Sequence, residues 1–262
     1  GIRGNDRQFW AGFNREQGLM GVEAKKIAAE NGLGFIDLHT PLLDVMAKAK
    51  AWYRPNYDVC GADGVHPRAN GHLIIAWTLL KGLGLSGDIG TITVDMKGGS
   101  TATEGHKILS AENGKVLIES SRYPFCFLDK ANQLSPDQVN VAGSTAGILP
   151  CFSFNDDLNR FRLVVIGLDQ DKAKVTWGTA SKVFSKQDLE KGINLAAEFL
   201  DNPFKEAFAK VDAAVLAQQR FESVLMRNII GGVPLPKPTA GSMPATEPSP
   251  MTKEQAIARR AE

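Results

Sequence analysis

The sequence predicts an α/β protein: an α/β region over residues 1–88, a β-rich module over 89–187 and a helical segment over 188–230. In the first region apolar residues recur at helical spacing and in one short continuous run, which favours helices around a buried strand. In the second, short runs of β-branched and aromatic residues alternate with Gly, Asn and Asp, which favours antiparallel strands. A chain of 262 residues, 43% of them hydrophobic, suffices for one large domain or two smaller ones.

The α/β region is predicted to alternate helix and strand. We expect a helix over 23–31, ended by "NGLG", and a buried strand over 33–39, "LGFIDLH". The next helix begins at "TP", where Thr40 can cap it and Pro41 takes the first helical position. A third helix begins at Asn70, another candidate N-cap, and ends before "GLGLSG".

The β-rich module contains seven short runs that predict strands. In chain order they are "TITVDM", "HKILS", "KVLIES", "RYPFCF", "ILPCFSF", "RFRLVVIGL" and "AKVTWG". Their composition and spacing are typical of an antiparallel β-sandwich-like module.

The C-terminal part of the chain is predicted to be a helix followed by a tail. Phe204, Phe208, Val211 and Val215 form one apolar stripe, which we expect to pack on the β-rich module. Six of the 13 prolines fall in residues 231–262, where few apolar groups remain. Because proline removes backbone donors, we expect this tail to be extended and disordered.

Composition argues against several kinds of partner. The 30 Lys and Arg residues nearly balance the 29 Asp and Glu residues, so a net charge of +1 gives no general attraction to nucleic acid or anionic membranes. No apolar run approaches the ~18 residues of a membrane span. The three cysteines indicate no disulfide framework. We expect buried thiols, with one Cys126–Cys151 pair as the alternative, and the sequence leaves the oligomeric state open.

The stretch "CGADGVHPRANGH", residues 60–72, holds the candidate catalytic residues. Asp63 lies three residues before His66, and Gly64 permits the chain to turn between them. Pro67 disfavours helix at His66. A histidine ordinarily titrates at about pH 6.5, so it can take and return a proton near neutral pH. It needs a partner that fixes its tautomer, and a carboxylate three residues upstream can supply one.

The segments "FIDLHTPL" and "DGVHPRANGHLIIA" together resemble the SGNH hydrolases, also called GDSL esterases and lipases, whose last sequence block is D-x-x-H-P. The resemblance covers residues 19–83. It implies a three-layer α/β/α, flavodoxin-like domain, of which residues 1–88 would be the C-terminal part. Residues 89–230 are similar to the β-rich and helical extension of some bacterial members. By this resemblance, His66 is the general base and Asp63 the acid that orients it.

The resemblance also implies a reaction and a setting. The chemistry would be hydrolysis of an ester through a serine acyl-enzyme, with neither cofactor nor metal. The substrate would be a small-molecule or carbohydrate ester, such as an acetylated sugar, with lipid esters as the second option. Family members are often exported, so the resemblance implies a periplasmic or extracellular location.

The family's nucleophile is a serine in a G-D-S block near the N-terminus, and this sequence contains no such block. "AGSTAG" (142–147) lacks the G-x-S-x-G spacing. "RGND" (3–6) resembles the family's G-x-N-D block, but no apolar strand precedes it and few residues separate it from Asp63. We therefore expect the chain to be the C-terminal portion of a longer protein, and to be inactive by itself as an esterase.

Two other functions are compatible with these residues. The first is a non-catalytic carbohydrate- or ligand-binding or interaction module, attached to an inactive α/β remnant. The second is a metal-dependent hydrolase that uses Asp37, His39 and His66, although no H-x-x-x-H or C-x-x-C pattern supports a metal site. We prefer a packing role for His39. His72 fits a capping or surface position, and His106 an exposed one.

Overall fold

The structure is a computed structural model, and it describes residues 7–53, 55, 57, 59–60, 66–127 and 144–231. The chain forms two compact units, Gly1–Lys205 and Glu206–Glu262. All strands of the described residues belong to the first unit.

Helices and several small sheets make up the described residues. The helices are α1 (Arg7–Glu30), α2 (His39–Trp52), α3 (Ala69–Gly82), α4 (Thr145–Ile148), α5 (Phe154–Leu158), α6 (Lys186–Lys191), α7 (Leu195–Glu198) and α8 (Lys205–Val224). A 3₁₀ turn, Leu149–Cys151, follows α4, and a π-helical turn, Leu225–Ile230, follows α8. The strands are β1 (Asp88–Asp95), β2 (Thr101–Ala102), β3 (His106–Glu112), β4 (Lys115–Ser120), β5 (Arg160–Ile166), β6 (Lys172–Trp177), β7 (Ala180–Ser185) and β8 (Ile193–Asn194). The predicted α/β class is confirmed.

The three helices predicted in the first region are present, with different starts. α1 begins well before its predicted first residue. α2 begins at His39 rather than after a Thr40 cap, because an Asp37 carboxylate oxygen accepts hydrogen bonds from the N–H groups of His39 and Thr40, at 2.8 and 3.2 Å. α3 begins at Ala69, so Asn70 is its second residue and not its N-cap.

The buried strand predicted over 33–39 is not formed. Residues 33–38 are irregular, and the side chains of Leu33 and Phe35 are 67% and 36% exposed. A strand needs hydrogen-bonding partners along its length, and none of the described strands pairs with this segment. Ile36 does pack inwards, against Gly82 of α3. The neighbouring helix α1 also exposes apolar side chains, namely Leu19, Met20, Val22 and Ile27.

The β-rich region is built around a parallel pair of strands, and it differs in this from the predicted antiparallel sandwich. Its main sheet has the order β2-β1-β5-β8, in which β1 and β5 are parallel and the outer pairs antiparallel. Two separate antiparallel hairpins, β3-β4 and β6-β7, accompany it. The apolar runs predict where strands occur, but strand composition does not record which strands pair or in which direction.

Two of the predicted strands have another conformation. "RYPFCF" (122–127) is irregular, and the buried Asn159 side chain bonds to the N–H and the carbonyl of Phe125, at 2.8 and 3.2 Å, as a neighbouring strand would. "ILPCFSF" (148–154) forms the end of α4, the 3₁₀ turn and the start of α5. The buried Ser144 caps α4, because its hydroxyl accepts a hydrogen bond from the Gly147 N–H.

Two apolar cores stabilise the first unit. One of them, the second core, lies between the main sheet and helices α6 and α7. The first core packs α2 and α3 against residues that come from much later in the chain. Its buried members are Val45, Ala49, Tyr57, Val59, Cys60, Leu73, Ile74, Phe127, Ile148, Cys151 and Phe154. This core joins residues on both sides of position 88, and the boundaries expected at 88, 187 and 230 stay predictions.

Asp157 connects α5 to α3. One of its carboxylate oxygens accepts hydrogen bonds from Trp77 Nε1 at 2.9 Å, from Lys81 Nζ at 2.7 Å and from Ser153 Oγ at 2.7 Å. Partial burial raises the pKa of Asp157, but the three hydrogen bonds and the charge of Lys81 lower it by more, so the net pKa lies below the ordinary value. The folded protein therefore favours the charged carboxylate.

The second unit contains most of α8, a helix with no buried residue. Val211 and Val215, two members of the predicted apolar stripe, are about half exposed. Packing of this stripe on the β-rich module stays a prediction, and the predicted tail lies outside the described residues after Gly231. Among the described residues, none of the helices combines the length and the apolar character needed to cross a membrane.

Replacing Asp157 with Asn should lower the free energy of unfolding by about 1–3 kcal/mol at neutral pH, because three donors lose a charged acceptor. Since folding lowers the pKa of Asp157, its contribution is present above the ordinary value of 3.8 and is lost as the pH falls through the folded-state pKa. The difference between wild type and variant should therefore shrink in acid. Urea unfolding at several pH values measures it, with the exposed neighbour Asp156→Asn as control. An equal loss in the control would contradict the assignment.

All three cysteines should react slowly with a thiol reagent in the folded protein. Cys60, Cys126 and Cys151 are buried and form no disulfide. Burial raises the pKa of Cys151 to about 11, against a smaller lowering by Lys48, so its thiol stays protonated at neutral pH. Titration with a chromogenic disulfide should detect three thiols after unfolding without reductant. Detection of one thiol would instead show a disulfide, and peptide mapping would then show whether it joins Cys126 to Cys151.

Candidate active site

His66 lies at the end of the loop that precedes α3, and it is exposed. Pro67 and Arg68 separate it from the helix, whose first turn is closed by a hydrogen bond from the His72 N–H to the Arg68 carbonyl, at 2.8 Å. His66 is thus an exposed residue close to α3, with only Pro67 and Arg68 between it and the first residue of that helix. Asp63 lies outside the described residues, so its contact with His66 stays a prediction.

Gly71 fixes how closely α3 approaches the segment before the loop. A Cβ at this position would overlap the Val59 carbonyl oxygen and lie 2.9 Å from Pro67 Cβ. Val59 is itself buried in the first core. The first turn of α3 can thus lie directly on the backbone that leads into the His66 loop, and only glycine leaves room for this contact.

A buried polar contact supports the same turn. Asn70 is fully buried, and its side-chain amide donates to the Tyr57 hydroxyl at 3.4 Å, while its side-chain oxygen accepts from the Gly71 N–H at 2.8 Å. Tyr57 stacks on Tyr53, with ring centroids 4.8 Å apart. Described residues on both sides of positions 61–65, Tyr57 before them and Asn70 after them, thus contact one another.

Tyr53 extends this support to a distant part of the sequence. Its hydroxyl donates a hydrogen bond to the Gly147 carbonyl in α4. Burial raises the pKa of Tyr53, and the nearby Cys151 adds to the effect, so the hydroxyl remains a proton donor at neutral pH. No local pattern indicates this contact, because the two residues are 94 positions apart in the sequence.

Asp37 and His39 serve the start of α2. The carboxylate of Asp37 caps the helix, and its pKa is lowered, first by the hydrogen bond from the Thr40 side chain and then by the backbone N–H groups and the charge of His39. The His39 ring lies against Gly18 of α1, and its buried Nε2 has no hydrogen-bond partner. In the described part of the chain, no three His, Cys, Asp or Glu residues are grouped as metal ligands. The structure thus does not assemble Asp37, His39 and His66 into a metal site.

Two further sequence candidates have structural roles. His106 was expected to be exposed, but it is buried, with Nδ1 at 2.9 Å from Ser120 Oγ and Nε2 at 2.9 Å from the Ile89 carbonyl. Its ring lies over Gly90, where a side chain would collide with it. Ser144 of "AGSTAG" is buried as a helix cap, which excludes it as an accessible nucleophile in this structure.

The sequence identified the D-x-x-H-P block, whose role stays a prediction, but missed the residues that fix the start of α3 beside it. Tyr57, Asn70 and Gly71 are these supports, and none of them was assigned a site role. The signal that could have found them is the "ANG" triplet at the helix start. Glycine weakens a helix, so a glycine inside the first turn of an apolar helix indicates a close packing contact there.

Comparison with known proteins supports the fold and no family. No family model matches the chain, and no curated protein matches it. A solved structure with a similar fold is that of a gut microbial diltiazem-metabolizing enzyme, with a TM-score of 0.60 and 22% sequence identity. The match covers 77% of this chain and 46% of the other, so the chain spans about half the length of that protein. The likeness shows a shared mixed α/β fold, and membership of the SGNH hydrolases stays a prediction.

Replacing Gly71 with Ala should destabilise the first unit by about 1–3 kcal/mol or more, because the new methyl group must displace the Val59 carbonyl or Pro67. The NMR signals of the His66 imidazole should shift as well, since the loop moves with the helix start. Gly21→Ala in α1 is the matched control, because no atom lies within 4 Å of its added Cβ. Thermal unfolding and histidine NMR measure both effects. Equal stability of the two variants would show that the close approach is not rigid.

Proposed function

We propose that this chain is part of a serine ester hydrolase of the SGNH type, which acts on acyl or acetyl esters of small molecules or carbohydrates. The observation that carries the proposal is the D-G-V-H-P block, in which His66 is exposed directly before a helix whose start is sterically fixed. Support on a rigid element is what a proton-transferring side chain requires. A shared fold with an enzyme that metabolises a small molecule, diltiazem, agrees with this proposal.

In the proposed reaction, His66 acts as base and then as acid. It takes the proton of a serine hydroxyl while the serine oxygen attacks the ester carbonyl carbon. It gives that proton to the departing alcohol as the ester C–O bond breaks, and the product of this step is an acyl-serine. A water molecule then attacks the acyl carbon, loses its proton to His66 and releases the acid, and the proton returns to the serine. Asp63 would orient the imidazole and stabilise its cation during both steps.

The nucleophile of the proposed reaction comes from outside the residues of this sequence. No serine of the sequence lies in a G-D-S block, and Ser144 is buried as a helix cap. The proposal therefore places the serine and the groups that bind the oxyanion on another segment of the complete polypeptide. Export from the cytoplasm, which the resemblance implies, is part of the same proposal.

A non-catalytic carbohydrate- or ligand-binding function is the second candidate. The absence of a nucleophile block from the sequence favours it directly. In that case His66 would be a solvated loop residue, and the β-rich region would carry the function. The two candidate functions differ in whether the protein hydrolyses any ester and in whether replacing His66 abolishes that activity.

The decisive experiment compares two exposed histidines in the protein expressed from its complete reading frame. His66→Ala should reduce hydrolysis of p-nitrophenyl acetate by about 10⁴-fold or more, because the nucleophile loses its base. His72→Ala, six residues away on α3, should leave the rate unchanged. Asp63→Asn should lower the hydrolysis rate by less than His66→Ala does, but still by orders of magnitude, since the new amide can stabilise the wrong imidazole tautomer. Diltiazem provides a second substrate for the same set of variants.

A fluorophosphonate probe tests the same proposal without a substrate. It should label one serine in the complete protein and label it far more slowly in the His66→Ala variant. The labelled peptide, identified by mass spectrometry, should contain G-D-S. Full esterase activity in His66→Ala would refute the role of His66, and a complete reading frame without any reactive serine would favour the binding function.

A further inference from the structure

A cleft of about 470 Å³ lies at the edge of the main sheet, and it shares no residue with the His66 loop. Its walls come from strands β5 and β7, from the edge strand β8 and from helices α5, α6 and α7. This volume falls in the range of small-molecule sites, which is about 300–1,000 Å³. The cleft is open to solvent, so a ligand could extend beyond it.

The cations of the cleft differ in how they are used. Arg160 is tied to the backbone, because its guanidinium donates to the carbonyls of Ser86, Asp156 and Asp157. Arg162 lies two residues further along β5 on the same face, and its side chain is exposed. The side chains of Arg162 and Lys191, which both line the cleft, have neither a hydrogen bond nor an ion pair within the described part of the chain. Two positive groups are therefore available to a ligand.

The backbone of Arg162 is held on both sides. It lies opposite Thr91 of β1 in a parallel ladder and opposite Asn194 of β8 in an antiparallel one. Asn194 is fixed in turn, since its side chain bonds to the Phe161 N–H and to the Asn155 carbonyl, both at 3.1 Å. The base of the Arg162 side chain is thus fixed at the cleft, while its guanidinium is free to turn toward a ligand.

The acidic groups of the cleft are mostly occupied. Asp188 accepts from the Ser185 hydroxyl at 2.6 Å in a helix cap, and Glu198 pairs with Lys182 at 3.0 Å. Asp156 is exposed, and its carboxylate has no partner among the residues described. Phe184 contributes a half-buried ring, packed against Phe199 at a centroid distance of 6.2 Å. The groups left for a ligand are two cations, one carboxylate and an apolar ring.

We propose that this cleft binds a uronic acid unit of a carbohydrate. The sugar carboxylate matches the two-pronged guanidinium of Arg162 and the charge of Lys191. The sugar hydroxyls can donate to Asp156, which needs donors, and the apolar C–H face of the pyranose ring can lie on Phe184. The neighbouring carboxylates of Asp156 and Asp188 disfavour a group that concentrates more negative charge at one point, such as a polyphosphate, relative to the single carboxylate of one sugar unit. This site goes beyond the proposed esterase, because it exists whether or not His66 is catalytic.

The test is a calorimetric and NMR titration of the full chain with trigalacturonic acid. Saturable binding is expected, and the neutral trisaccharide maltotriose should bind at least about tenfold more weakly, because it lacks the carboxylates that Arg162 and Lys191 recognise. Arg162→Gln should weaken trigalacturonate binding about tenfold, and Arg162→Lys should fall between it and wild type. Lys191→Ala should weaken binding by a smaller factor. Lys174→Ala, an exposed lysine of β6 outside the cleft, is the matched control.

Each outcome decides the proposal. Thermal unfolding confirms that the Arg162 variants fold, and the surface variant Lys191→Ala gives an independent reading. No saturable binding, equal affinity for maltotriose, or unchanged affinity in both Arg162→Gln and Lys191→Ala would refute the site. Equal binding of acetate and trigalacturonate at the same residues would refute the sugar part, since it would show recognition of a bare carboxylate. None of these measurements uses esterase activity, so their outcome does not depend on the proposed role of His66.

Discussion

The geometry of the candidate site depends on a steric constraint at position 71, where any side chain would overlap the Val59 carbonyl. Because residue 71 is glycine, the first turn of α3 lies on the backbone that leads into the His66 loop. Asn70, in the same turn, meets the buried Tyr57 hydroxyl, so the close approach leaves this polar pair satisfied. The position of His66 follows from where the helix can start, a few residues later in the chain.

Support for this region comes from residues that are distant in sequence. The Tyr53 hydroxyl bonds to Gly147, and Asp157 accepts hydrogen bonds from Trp77 and Lys81 of α3. These contacts pack the short helices α4 and α5 onto α2 and α3 and close the first core. A catalytic side chain needs a position reproducible to a fraction of an ångström, and two helices alone seldom provide it. The later segment thus serves the candidate site without contributing a reactive group.

The two proposed sites differ in whether their polar side chains are paired within the protein. At the start of α3, Asn70 and Tyr57 form a hydrogen bond with each other, and the fold serves to position the helix beside His66. At the cleft beside β8, the fold leaves two cationic side chains, Arg162 and Lys191, without a protein partner among the described residues. Arg160 and Arg162 show the contrast on one strand, since the first binds three carbonyls and the second projects into the cleft without a partner among the described residues. Solvent can hydrate such a charge at little cost, which keeps it available for a ligand.

The sequence by itself determined the features that depend on nearest neighbours along the chain. Helical periodicity located α2, α3 and the C-terminal part of α1, and runs of β-branched residues located β1 and β3 to β6. The D-x-x-H-P spacing singled out His66, whose role stays a prediction. Tertiary structure decided what depends on distant partners: the irregular segment 33–38, the parallel pairing of β1 with β5 and the burial of His106. The physical reason is that a strand, a buried imidazole or a close backbone contact is stable only if its partner is present, and the partner's position is not written in the local pattern.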